Sequence, residues 1–69
     1  MNEVKTLRLA AGLTQRELSA ATGISPIDIN EAETGERPLD WPQWNFMHYI
    51  CDDRIKMFKR DAGLTIKLG

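Results

Sequence analysis

The strongest constraint in this chain is a device that occurs twice within fifteen residues. Thr14-Gln15-Arg16-Glu17 places a Thr three residues before a Glu. That spacing lets each side chain satisfy an orphan backbone N–H at the start of a helix. Leu13 before the cap and Leu18 four positions into the helix form a hydrophobic staple. Ser25 then repeats the cap, with Pro26 at the first helical position, where a missing N–H costs nothing. Asp28 takes the place of the Glu, and Ile24 and Ile29 make the second staple. Gly23 separates the two units and suits a left-handed helix stop.

Two short capped helices joined by Gly23-Ile24-Ser25 make a helix-turn-helix by spacing alone. A first helix precedes them over about Glu3 to Ala11, with Val4, Leu7 and Ala11 on one stripe and Gly12 as its stop. The third helix runs to about Glu33, with Thr34 and Gly35 closing it. After Pro38, Asp40 can cap a longer helix opened by Trp41 and Pro42. Trp41, Trp44, Met47 or His48, Cys51, Ile55 and Phe58 recur every three or four residues, the period of one buried helical face. Asp52-Asp53 is a point at which this helix can divide, and Gly63 is its expected end. Leu64 to Leu68 alternates apolar and polar, so it reads as a short strand or a tail.

With 69 residues the chain makes one domain, residues 1–69. At 42% apolar and 28% charged it has a globular composition. Its apolar runs are too short for a membrane span, and Glu3, Lys5 and Arg8 interrupt any secretory signal core. One cysteine, Cys51, excludes an internal disulfide and a multi-cysteine zinc site, and one histidine, His48, is too few for a metal or triad chemistry. The expectation is a binding module in the cytoplasm, with no catalytic residues, metal or cofactor.

The net charge of −1 hides a gradient. Residues 22–40 carry Arg37 alone against Asp28, Glu31, Glu33, Glu36 and Asp40. Residues 54–69 carry Arg54, Lys56, Lys59, Arg60 and Lys67 against Asp61 alone. A basic end of this kind suits phosphates or an acidic partner.

The residues around the turn resemble a known family. Arg8, Gly12-Leu13-Thr14-Gln15-Arg16-Glu17-Leu18-Ser19, Gly23-Ile24-Ser25, Ile29 and Glu33-Thr34-Gly35-Glu36-Arg37-Pro38 resemble the Cro/C1-type (XRE) helix-turn-helix family of small phage repressors and bacterial regulators. The resemblance covers residues 4–38 and implies an all-α, lambda-repressor-like bundle of about five helices. It implies that the third helix enters the DNA major groove. It also implies an ion pair between Arg8 and Glu33, which ties the first helix to the end of the third. Phosphate contacts fall to Gln15, Arg16, Arg37 and Lys5. Base readout falls to Ser25, Pro26, Ile27, Asp28, Asn30 and Glu31. Asn30 suits adenine, Glu31 or Asp28 suits cytosine N4, and Ile27 suits a thymine methyl. Ile29 and Ala32 belong to the core.

The resulting expectation is a homodimeric transcriptional autorepressor on an inverted-repeat operator in double-stranded DNA. Members of this size include lytic-switch, toxin–antitoxin and anti-CRISPR-associated regulators. Residues 39–69 are assigned to dimerisation, through Trp41, Trp44, Met47, Ile55 and Phe58. The rival is a protein-interaction module, because the third helix has no Lys or Arg and its Asp28 and Glu31 can meet a basic partner.

Overall fold

A computed structural model describes the backbone of residues 2–68 and the side chains of residues 2–61. Four helices follow one another: α1 Glu3–Ala10, α2 Gln15–Thr22, α3 Pro26–Thr34 and α4 Trp41–Leu68. The described residues contain no strand.

Each start has a local cause. At α2 the Glu17 N–H donates to Thr14 Oγ1 at 3.0 Å, and the Thr14 N–H donates to Glu17 Oε1 at 2.9 Å. At α3 the Asp28 N–H donates to Ser25 Oγ at 3.1 Å. At α4 the exchange is Gln43 N–H to Asp40 Oδ1 at 2.8 Å and Asp40 N–H to Gln43 Oε1 at 3.1 Å. Gly23 and Gly35 end α2 and α3 in the left-handed conformation, with φ of 77° and 86°.

The expected count of about five helices is corrected to four. Neither Asp52-Asp53 nor Gly63 ends the fourth helix, which continues to Leu68. Asp53 is exposed and Asp52 half-buried, so both reach water from a helix interior without strain. A glycine inside a helix costs only about 1 kcal/mol. The Leu64–Leu68 strand is likewise corrected, because that segment is helical.

The core gathers Val4 and Ala11 around α1, Leu13 and Leu18 at α2, Ile24, Ile29 and Ala32 at α3, and Met47 and Cys51 on α4. Both staples are inside it. Burial pushes the Cys51 thiol pKa up, so it stays an unreactive apolar filler. Leu7, Leu39, Trp44 and Ile55 pack against this core from its rim.

The side chains assigned to a dimer seam divide. Met47 is fully buried inside its own chain and offers a partner no surface, which corrects its assignment. Trp44 and Ile55 are half-buried on the same core. Trp41 and Phe58 remain exposed. Phe58 also lies under the α1–α2 turn, where a Cβ on Gly12 would sit 3.5 Å from its ring. The intramolecular core therefore takes most of the face that helical spacing picks out on α4.

Candidate nucleic-acid interface

The candidate interface is built where the start of α2 meets the outer face of α3. Arg8 lies beneath it. Its Nε donates to Glu33 Oε2 at 2.6 Å and its NH2 donates to Glu33 Oε1 at 3.0 Å. Its NH1 donates to the Leu13 carbonyl at 3.0 Å, in the turn between α1 and α2. One guanidinium thus fixes the end of α3 and the entrance to α2 together. Such a fork has the planar geometry that carboxylates match.

Gln15 extends the same network into the interface. Its Nε2 donates to Glu33 Oε1 at 3.1 Å and to Asn30 Oδ1 at a longer 3.4 Å. Burial alone pushes the Glu33 carboxyl pKa up. Hydrogen bonds from Arg8 and Gln15, with the charges of Arg8 and Lys5, outweigh it and hold the pKa below the usual glutamate range. The Arg8 pKa rises, first through its hydrogen bond to Glu33. The pair is therefore charged across ordinary pH, and Gln15 is oriented by it.

The α3 face carries Ser25, Pro26, Ile27 and Asn30 exposed, with Asp28 and Glu31 half-buried. Ile27 is 68% exposed, unusual for an isoleucine in a small domain. Ile29 and Ala32 point the other way, into the core. Ser25 Oγ is already committed to its cap. Asp28 faces a shallow pocket formed with Arg37, Pro38, Leu39, Asp40 and Gln43.

The cations are placed unevenly. Arg16 and Lys5 are exposed at the starts of α2 and α1. Arg37 reaches back to Glu31, with Nε 3.4 Å from Oε2, and the Arg37 N–H donates to the Glu31 carbonyl at 3.2 Å. Arg54 is drawn away from the interface. Its Nε donates to the Ala11 carbonyl at 3.0 Å, and its guanidinium lies 5.4 Å from the Phe58 ring centre. Its work is to seal the end of α1.

One positioning residue escaped the sequence reading. Asn2 caps α1, with its Oδ1 accepting from the Val4 N–H at 2.9 Å. Its Nδ2 donates to the Ala32 carbonyl at 2.6 Å, which joins the start of α1 to α3. The available signal was an Asn immediately before Glu3, a favoured capping type.

The arrangement is a rigid three-helix frame that presents one helix face with polar and apolar groups. The chain matches the family model described as a helix-turn-helix domain over residues 2–52. It belongs to the helix-turn-helix domain family. No curated protein and no solved structure gives a significant match. The matched span takes in α1, α2, α3 and α4 as far as Asp52, one residue beyond Cys51, the last fully buried side chain among the described residues. For a helix-turn-helix domain the exposed α3 face is the surface expected to meet DNA. Among the described residues no helix is long and apolar enough to cross a membrane. Among the same residues no cluster of His, Cys, Asp and Glu could hold a metal ion.

Proposed function

We propose that this domain is a sequence-specific regulator that binds double-stranded DNA as a homodimer, on an inverted repeat in its own promoter region, and represses it. The observation that carries this reading is the junction of Gln15 with Asn30 and Glu33, which aligns the start of α2 with the exposed face of α3. Gln15 then meets a phosphate beside the positive end of α2. Arg16, Arg37 and Lys5 supply the remaining backbone attraction. Asn30 reads adenine, Ile27 packs on a thymine methyl, and Asp28 or Glu31 accepts from cytosine N4. Ser25 and Pro26 approach the groove at the leading end of α3. Two copies place their α3 helices in successive major grooves about 34 Å apart.

The acidic groups on α3 decide the balance. They repel phosphate everywhere and are repaid only where a base donates to them. Affinity for unrelated DNA is therefore low, and selectivity comes from the bases. With three exposed cations per copy meeting phosphate, Arg37 leaving Glu31 to do so, the logarithm of affinity falls with the logarithm of salt at a slope of roughly −5 for a dimer.

The test is fluorescence anisotropy on the upstream duplex against a scrambled duplex near 0.15 M salt, with Gln15→Ala and Arg37→Ala. Tight binding to the upstream duplex alone, weakened by both substitutions, supports the reading. Equal and feeble binding to both duplexes, indifferent to either substitution, overturns it and directs the search to a protein on the Asp28–Glu31 face.

A further inference from the structure

Three hollows on the surface join end to end. The first, about 310 Å³, lies between Leu7 on α1 and Trp44 and His48 on α4. The second, about 370 Å³, lies over Val4 and Ala32, where α1 meets α3. Glu3 and Trp44 line both, so the two are continuous. The third, about 210 Å³, lies between Asp28 on α3 and Gln43 on α4. Pro38 and Leu39 line the second and the third alike. Together they make one trough that runs from the α1–α4 crevice to Asp28.

The bed of the trough is apolar and held from below. Val4 and Ala32 are buried, and Leu7, Leu39 and Trp44 are half-buried. Asn2 Nδ2 donates to the Ala32 carbonyl at 2.6 Å, and the exchange between Asp40 and Gln43 fixes the start of α4. The rim is acidic. Among the described residues its charged lining is Glu3, Asp28 and Asp40 against Arg37 alone. Arg37 is paired with Glu31, which does not line the trough. Lys5, two residues beyond Glu3, lends its charge to Glu33 instead.

We propose that this trough docks an extended, basic peptide segment of a partner protein. Apolar side chains of the segment fill the bed, and its Lys or Arg meet the rim. The division of the space selects an extended chain. A small molecule is enclosed by one cavity, whereas three hollows in a row suit a chain that spaces its side chains. Long cationic stems between the apolar residues reach the carboxylates at the edge. The charge selects the sign, because three carboxylates against one committed guanidinium repel an acidic segment and a DNA backbone alike. Trp44, at the join of two hollows, is the anchor, as tryptophan is at many interfaces. Asp28 belongs both to the trough and to the α3 face, so an occupied trough competes with whatever α3 binds.

The emission of Trp44 tests this in a Trp41→Phe chain, which has no other indole. The probe is a blocked hexapeptide of alternating leucine and lysine, in about 0.15 M salt. It should shift the emission saturably, with half-saturation below about 1 mM. Glutamate in place of its lysines, or glycine in place of its leucines, should weaken binding by roughly tenfold or more. Pro38→Arg sets a like charge where two hollows join and should weaken binding by a similar factor. Asn45→Arg adds the same charge at an exposed position outside the trough and should change it by less than about twofold. Glu3→Gln and Asp28→Asn, in separate hollows, should each weaken it by about threefold. None of these four positions is buried, so the helical spectrum should hold. Equal binding of the glycine–lysine peptide overturns the proposal, because charge alone then suffices. So does a Pro38→Arg variant that binds as well as Asn45→Arg. A Trp44 shift on concentrating the chain without peptide gives the trough to a second copy and overturns the partner assignment. The signal comes from Trp44 and not from DNA, so failure of the operator reading leaves this test standing. On that reading the peptide should also release the upstream duplex, and a duplex that stays bound beside it overturns the competition.

Discussion

Arg8–Glu33 and Arg37–Glu31 are the same chemical pair on two sides of α3. In the first, Nε lies 2.6 Å from Oε2, and the side chains are 11% and 5% exposed. In the second, one contact of 3.4 Å joins side chains 75% and 26% exposed. Removing water from the first pair makes each partner dependent on the other. The second stays in high dielectric, where such contacts contribute about 0–1 kcal/mol. Identical charges therefore take opposite roles. Arg8 and Glu33 hold three helices in register. Arg37 keeps its charge in water and can exchange a carboxylate for a phosphate at little cost.

The largest way to break this contrast is Arg8→Met. It leaves Glu33 with Gln15 alone and the Leu13 carbonyl without its donor. The expected loss is roughly 3–5 kcal/mol, a large share of the stability of so small a domain. Urea unfolding followed by circular dichroism measures it. A loss below about 1 kcal/mol would place Arg8–Glu33 in the same class as Arg37–Glu31.

The second test uses acid. The Glu33 pKa is lower folded than unfolded, so the unfolded chain binds more protons as pH falls. The contribution is complete above the ordinary glutamate value, about 4.3, and is lost as pH drops through the lower folded value. Glu33→Gln should melt below the natural sequence at pH 7, and the gap should close towards pH 3. Melting curves across that range decide it, and a constant gap would show that the charge of Glu33 does not matter.

The two pairs also separate what sequence can express. The caps at Thr14 and Ser25 are legible because partners three residues apart meet in any helix start. The staples are legible for the same reason. Arg8 and Glu33 are 25 residues apart, and only a resemblance names them as partners. Arg54 and Ala11 are 43 apart, and no local pattern announces that contact. On α4, periodicity detects apolar faces without saying which of them the chain covers itself. Met47 went to the core, while Phe46 and Met57, a quarter turn away, stayed exposed. The continuity of α4 through Gly63 escaped because a stop signal acts only when a cap or a tertiary contact supports it.

Arg37→Ala sharpens the contrast from the exposed side. Stability should hold within about 0.5 kcal/mol, because nothing buried depends on this arginine. DNA affinity should fall, with the salt slope shallower by about 1 for each copy. Titrations at three salt concentrations measure both. An unchanged slope would mean that Arg37 remains with Glu31 on the DNA.

Glu31→Gln should have the smallest effect on the fold and the most informative sign on binding. Amide for carboxylate keeps the size, so stability again stays within about 0.5 kcal/mol. Losing the charge releases Arg37 and removes one repulsion against phosphate, so scrambled DNA should bind tighter. That gain should shrink with salt, because solvent reaches both groups and charges are screened beyond about 10 Å at 0.1 M. The upstream duplex divides the possibilities. If the Glu31 carboxylate accepts from a cytosine amine, affinity for that duplex falls while affinity for scrambled DNA rises. If Glu31 only restrains Arg37, both affinities rise in proportion and the ratio between them holds. Anisotropy on the two duplexes separates these outcomes, and with them a base-reading carboxylate from a simple tether on a phosphate-binding arginine.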